Sequence, residues 1–271
     1  MQMGDHSFVY ELVRPVDAVS ETSRPDVAFA DSRLLAEISE FRGRVLYANG
    51  RRPHFRSDGG LYTDEDPQDL ESLHVTVRQH GALVACVRLT PTLHSQTFIG
   101  RLVGAEELNA VLRNMRLRGK DCAEAGRWIV LPSARGTDLG RTLLLSCWAI
   151  GIWLNKRCLF GLAGTRDGQS KMICRTGGQV VPGMEARLVQ DLDDDVTLVY
   201  FDLERPPQFV AAQLPSVRRL LQLGERRLHS TGRNAKLKHS CPKQLLAAAL
   251  LDRGRSPAAW LWRPETLPQG P

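Results

Sequence analysis

The sequence predicts an α+β domain, in which strands and helices follow one another around an antiparallel hairpin, with a basic helical extension at the C-terminal end. Three observations predict it. Residues 73–78 and 82–89 are short segments of strand character joined by Gln79-His80-Gly81, the pattern of a tight antiparallel hairpin. Residues 124–130 end in an apolar run of strand length, 131–140 form a turn of small residues, and 141–156 are a long apolar segment, so strand, turn and helix follow in succession. After Arg205-Pro206-Pro207 the composition changes. Residues 205–271 hold 12 Lys and Arg against 3 Asp and Glu, a net +9, which leaves −3 on the rest of a chain whose total is +6.

Taken in order, residues 1–29 hold a short strand at 7–13 and a connector containing Pro and Ser. Leu34, Leu35, Ile38, Phe41, Val45 and Leu46 recur at three- and four-residue spacing, which predicts a helix over 30–48 capped by Asp31 or Ser32. Residues 49–60 are punctuated by Gly and Pro as a loop. The hairpin is stopped by Thr90-Pro91-Thr92, and a helix over 106–118 is ended by Gly119. Beyond the strand, turn and helix of 124–156, a buried strand is expected at 157–163. A short helix at 167–176 is closed by Gly177-Gly178, and the last strands fall at 179–181 and 195–202. In the tail, 216–227 reads as a basic helix with Leu220, Leu221 and Leu223, and 243–253 as a second amphipathic one. The organisation is therefore a connector (1–29), a main domain (30–204) and a basic helical extension (205–271).

Composition limits the function. With 42% apolar and 24% charged residues the chain can bury a substantial core. No apolar run reaches membrane-spanning length, and the opening Met-Gln-Met-Gly-Asp-His has no charged-then-apolar signal pattern, so a cytoplasmic protein with no membrane span is expected. Cys86, Cys122, Cys147, Cys158, Cys174 and Cys241 show no paired spacing, which reads as reduced thiols, with no disulfide framework and no metal site. The basic tail beside a mildly acidic body suits a large acidic partner or is simply a solvated basic surface. DNA is not among the expected partners.

Four polar clusters carry the chemistry. Arg42 lies on the first helix, and Asp64-Glu65-Asp66-Pro67-Gln68-Asp69 precedes the hairpin. Arg88-Leu-Thr-Pro-Thr92 closes the hairpin, and Glu124-Ala-Gly-Arg127 opens the central strand. Each alone is weak, since an acidic turn is usually solvated and Glu-x-x-Arg is usually a surface ion pair. In this order and spacing they resemble the acyl-homoserine-lactone synthases and N-acyl amino acid synthases, members of the GNAT superfamily of N-acyltransferases, over about residues 30–185. That family has an arginine on its first helix, an acidic E/D-x-D-x-x-D loop, an Arg-Leu-x-Pro-Thr strand end and Glu-x-Ser-Arg-Phe before the central strand. This chain departs from it at Leu46, where the family has an aromatic residue. It also has Gly126 for the serine and Trp128 for the phenylalanine. The superfamily's phosphate loop reads Arg135-Gly-Thr-Asp138-Leu-Gly140, and Asp138 puts a carboxylate where a bare amide meets the pyrophosphate of coenzyme A. A carrier-bound donor, whose pantetheine arm has one phosphodiester, is easier to reconcile with it.

The resemblance implies a GNAT-like α+β fold, a mixed and mostly antiparallel central sheet with flanking helices, in a bacterial N-acyltransferase joining a thioester-bound acyl group to a small amine, such as an amino acid or a homoserine-lactone-like acceptor. The acyl thioester, on acyl carrier protein or coenzyme A, is a cosubstrate, and no tightly bound cofactor is expected. Such a reaction needs a donor for the thioester oxyanion, a base for the ammonium, and alignment of amine with carbonyl. Glu124 is the candidate base, through a water, with Asp66 second. Arg42, Asp64, Asp69, Arg88, Arg127 and Trp128 would shape the substrate site; for the ionic members a structural ion-pair network is about as good a reading. Val130, Leu131, Arg135, Gly136, Leu139 and Gly140 would contact pantetheine. Arg218, Arg219, Arg226, Arg227, Lys236 and Lys238 would dock the carrier. Two alternatives stay open: an aminoacyl-tRNA as donor, and a non-catalytic GNAT-like binding module. His74 reads as a satisfied strand histidine, Cys147 and Cys158 as core thiols, and Trp148 and Trp153 as packing; Trp260 and Trp262 mark an interface or a cover in the tail.

Overall fold

One sheet of eight strands organises the computed structural model, which describes residues 8–13, 32–48, 50, 52–166, 168–184 and 186–223. All of these fall in the first of two units, residues 1–224. The strands are β1 (Val9–Val13), β2 (Leu73–Gln79), β3 (Ala82–Thr90), β4 (Cys122–Val130), β5 (Cys158–Gly164), β6 (Gln179–Val180), β7 (Arg187–Val189) and β8 (Asp194–Asp202). The helices are α1 (Ser32–Ala48), α2 (Phe98–Val103), α3 (Ala105–Asn114), α4 (Leu139–Trp153), α5 (Gln169–Arg175), α6 (Gln208–Ala211) and α7 (Leu214–Leu220). The strand order is β1-β2-β3-β4-β5-β8-β6, with β7 also on β8. Every pair is antiparallel except β4 with β5, so the sheet is mixed and mostly antiparallel as expected.

Local chemistry explains most boundaries. The β2–β3 hairpin turns on His80 and Gly81, with φ of 51° and 80°, the left-handed pair that matches strand twist. The helix expected over 106–118 ends at Asn114, because Arg116 takes a φ of 55° and Leu117 N–H donates back to Leu112 O, before Gly119 is reached. Asn155, with a φ of 56°, stops α4 in the same way. Three elements were not expected: α2, capped by the Thr97 side chain on Gly100 N–H, the three-residue β7, and the four-residue α6. The tail helix begins at Leu214 rather than 216 and ends at Leu220. Asp31 and the segment 243–253, with Trp260 and Trp262, lie outside the described residues. Among the described residues, no helix is long and apolar enough to cross a membrane.

Period-two alternation gives the sheet two unlike faces. One face is covered by α4, whose residues are apolar almost all round and mostly buried. Val75, Val87, Leu89, Ala123, Leu159, Val199 and Phe201 meet Leu143, Cys147, Trp148 and Ile150 in one cluster, and Trp148 sets its ring edge-on to Phe201 at 5.5 Å. Val210, Val217, Leu221 and Leu223 join the same cluster. The other face carries two smaller clusters. Ile38, Phe41 and Val45 of α1 pack with Cys86 and Ile129, while Ile99, Leu108 and Leu112 pack with Cys122, Phe160 and Leu198. Of the expected thiols, Cys86, Cys122, Cys147 and Cys158 are buried and Cys174 is exposed.

Candidate active site

The alternation that sends Val75, Val87, Leu89 and Ala123 toward α4 sends His74, Arg88 and Glu124 to the opposite face, between its two apolar clusters. Register brings them together: His74 lies opposite Arg88, and Thr90 opposite Glu124. The helix α1 adds Arg42. Its neighbour Gly43 admits the backbone of Thr63, since a Cβ there would sit 2.5 Å from Thr63 N. The acidic turn therefore lies hard against α1, with Asp64 N–H donating to Ser39 Oγ at 3.1 Å. Asp66 then caps a short 3-10 turn, Pro67–Glu71, by accepting from Gln68 N–H at 3.1 Å.

Four sequence-distant segments thus close a buried ionic network. Arg42, Arg88 and Glu124 are 0%, 1% and 2% exposed, so these are interior charges and not a solvated surface. Arg42 grips Asp69 with both Nη atoms and donates to the Asp64 carbonyl, while its Nε lies 3.0 Å from Asp64 Oδ2. Arg88 Nη1 bridges Asp66 at 3.1 Å and Asp69 at 2.9 Å, and its Nη2 lies 3.8 Å from Glu124 Oε1. His74 Nε2 meets the Asp69 carbonyl at 3.0 Å; a carbonyl only accepts, so Nε2 carries the proton. The ionic residues expected at the catalytic and substrate site, Arg42, Asp64, Asp66, Asp69, Arg88, Glu124 and Arg127, all enter this network.

Arg127 reaches it through a distortion. The β3–β4 register shifts between Cys86 and Arg88, and Arg127 adopts a φ of 52°, unusual for a residue with a side chain. A bulge re-aims the side chain it carries. Here Arg127 Nε comes to 2.9 Å from Asp64 and its Nη2 to 3.4 Å from Asp66, with the guanidinium 4.8 Å over the Phe98 ring. At the same level β4 leaves β5. The two pair from Cys122/Cys158 to Ala125/Gly161 and no further, although β4 runs to Val130 and β5 to Gly164. From Gly126 onward β4 has β3 on one side and no strand on the other.

Burial and charge set the two candidate bases apart. Burial is the largest influence on Glu124 and raises its pKa; the Ile99 amide, the Arg88 charge and the Thr97 hydroxyl pull it back only in part. For Asp66 burial is again the largest influence, but Arg88, the Gln68 amide and Arg127 together outweigh it, and the pKa is lowered. Burial also works against ionised Asp69, yet Arg42 and Arg88 hold it down to about 2. Desolvation holds His74 down to about 4, so it is neutral near pH 7.

The strand end and the following turn lie apart from this network. Trp128 packs partly buried toward α4, with its ring beside Gly140. Leu131 has both backbone groups engaged: its N–H donates to Val84 O at 2.8 Å and its carbonyl accepts from Ala134 N–H at 2.9 Å. Arg135 is exposed and donates to the Val130 carbonyl at 3.3 Å, Gly136 takes a φ of 83°, and the Leu139 side chain is buried in the core. Arg218 and Arg219 are on α7; Arg226, Arg227, Lys236 and Lys238 lie outside the described residues. Sequence reasoning missed Gln68, Thr97, Phe98, Ile99 and Arg101, which surround the network from the acidic turn and α2. Gln68 sits inside the acidic motif, and that position was the available signal. A cavity of about 400 Å³ beside Tyr47 and Arg56 is lined by none of the network residues.

No family model and no curated protein sequence matches the chain. Solved structures do. The acyl-homoserine lactone synthase LasI superposes with a TM-score of 0.52 at 13% identity, over 76% of this chain and 94% of that one. The CoA-dependent acyl-homoserine lactone synthase BjaI, solved with MTA and also with SAM and isopentyl-CoA, superposes with a TM-score of 0.54 at 14% identity, over 79% of this chain and 90% of that one. The chain has the GNAT-like fold.

Proposed function

We propose that this chain is an N-acyltransferase that forms an amide between a thioester-bound acyl group and a small amine, with Glu124 as the base. One observation carries the reading. A carboxyl group with a raised pKa is buried at the level where β4 and β5 part, so a proton acceptor stands beside an open strand edge. The donor's pantetheine would lie along that edge, and Val130, Arg135, Gly136 and Gly140 are the contacts we assign to it. Leu131 and Leu139 border the same turn. The acceptor ammonium gives a proton to Glu124 through a water. The free amine's lone pair then attacks the thioester carbonyl and the C–N bond forms; as the C–S bond breaks, the nitrogen's second proton passes to the sulfur, which leaves as the thiol. Arg88 and Arg127 hold Asp66 ionised and in place, which makes Asp66 the poorer base. A non-catalytic module would have no use for a carboxyl group destabilised in this way.

The donor class follows from charge. Asp138 opposes a pyrophosphate, and the net +9 of residues 205–271 attracts a large acidic carrier. We therefore assign acyl carrier protein as the preferred donor, docked through Arg218, Arg219, Arg226, Arg227, Lys236 and Lys238. Mass spectrometry of products tests the whole reading, using acyl carrier protein, acyl-CoA and aminoacyl-tRNA donors against a panel of amino acids and lactones. Amide product from the carrier-bound donor supports it. Product from the tRNA donor alone transfers the reading to that donor, and no amide from any donor refutes it. Charge reversal at Arg226 and Arg227 should raise the KM for the carrier-bound donor and leave a pantetheine-thioester mimic unaffected.

A further inference from the structure

A glutamate's terminal torsion is broad, so a carboxylate must be held from outside if one oxygen is to face a reactant. Glu124 is held at Oε2 by the Ile99 N–H at 2.9 Å, while Oε1 lies 3.8 Å from Arg88 Nη2. The Ile99 amide is fixed in turn by the segment just before it. Gln68 is 5% exposed and grips that segment at two points: its Oε1 accepts from Phe98 N–H at 2.9 Å, and its Nε2 donates to the Gln96 carbonyl at 3.0 Å. The same Oε1 lies 3.5 Å from Arg88 Nη2, and Gln68 N–H donates to Asp66 Oδ1. One neutral residue therefore joins the acidic turn through its backbone N–H, and through its side chain the arginine beside the base and the backbone segment that orients the base.

We infer that Gln68 is the positioning residue of this site, fixing the Glu124 carboxylate by holding the Gln96–Phe98 segment so that Ile99 N–H meets Oε2. A merely acidic turn does not need it. Gln68 follows Pro67 between two ion-paired aspartates, and its side-chain amide offers the donor and acceptor that the 96–98 backbone requires. The groups that face Glu124 are Arg88 from β3, Asp66 from the turn, and the Thr97 hydroxyl and Ile99 amide at the start of α2. Loosening the last two removes influences that favour the ionised form, so its titration should move to higher pH.

The inference rests on the reading of Glu124 as the base, and the test separates the two. In the full-length chain, Gln68→Met keeps length and flexibility and removes both side-chain bonds. Two readouts are followed: the Glu124 carboxyl titration by carbon-13 NMR, assigned with Glu124→Gln, and the acid limb of kcat/KM. Expected are an upward move of both midpoints and a kcat loss on the order of a hundredfold, the scale of a misplaced reacting group, with donor KM unchanged. Should Gln68→Met not fold, Gln68→Asn, which keeps the amide and shortens its reach, carries the same two readouts. A shifted carboxyl titration with an unmoved rate profile supports the positioning role and refutes Glu124 as the base. An unshifted titration in a folded variant overturns the inference whatever the rates do.

Discussion

Toward α4 the strands present Val75, Val87, Leu89, Ala123 and Leu159; toward α1 and α2 the same strands present His74, Arg88 and Glu124. The first face is a continuous apolar layer. The second is two smaller clusters with a buried ionic network between them. Apolar burial contributes roughly 25 cal/mol per Å² wherever it occurs, whereas a buried ion network is a weak source of stability and is costly to break. The difference teaches that one side of the sheet is stabilised by an unbroken apolar layer, while the other divides its apolar contacts around charges that add little net stability when paired and are costly to disturb. On the function proposed above, the chemistry of acyl transfer is the reason to keep them.

Single substitutions sharpen this contrast. Arg88→Ala should have the largest effect on stability. It leaves Asp66, Asp69 and Glu124 facing one another without their shared cation, a loss on the order of 3–5 kcal/mol for a buried network. Thermal melting and product assays should both collapse. Leu143→Ala, on the apolar face, should cost about 2–5 kcal/mol by leaving a cavity, yet activity per folded molecule at low temperature should stay near that of the unmodified chain. A loss of specific activity there would mean the faces are not separable.

Acid titration comes next. The folded pKa of His74, about 4, lies below its ordinary 6.5, so between these values the unfolded chain binds a proton that the native one does not. Stability should fall as pH drops from about 6.5 to 4, by on the order of 2–3 kcal/mol. Asp69, ordinarily 3.8 and held to about 2, adds a further loss as pH falls from about 4 to 2. Denaturant melts of His74→Gln should show a flatter slope above pH 4; an unchanged slope would place the proton uptake elsewhere. Smallest of all, Glu37→Ala should change stability by less than about 1 kcal/mol. It removes a two-bond pair with Arg78 that is half in solvent, where water and salt screen the charges.

Much of this architecture was legible because it follows from alternation and turn chemistry. The 73–89 hairpin was readable from Gln-His-Gly, and α4 from a run too apolar to sit on a surface. The ionic residues were found by the order of their motifs, not by any property of each alone. The rest depended on long-range effects. Nothing in Arg127 announces a left-handed residue and a bulge, which the β3 register imposes. The helix α2 is six residues with no amphipathic period long enough to detect. Gln68 carries no charge, and its role appears only when residues 28 and 30 positions away arrive beside it. The end of α3 was misplaced because Arg116, not Gly119, turns the chain.

The central claim is that the buried carboxyl of Glu124 takes the amine's proton, and Glu124→Gln tests it most directly. The substitution keeps the shape and the acceptor for the Ile99 amide while removing the base. Single-turnover amide formation with the carrier-bound donor should fall by roughly a hundredfold or more, the scale of general-base catalysis, with the melting temperature held or raised because a desolvated charge is gone. Activity retained within a few-fold, in a variant that melts normally, would contradict the account and leave the network a purely structural feature of this face.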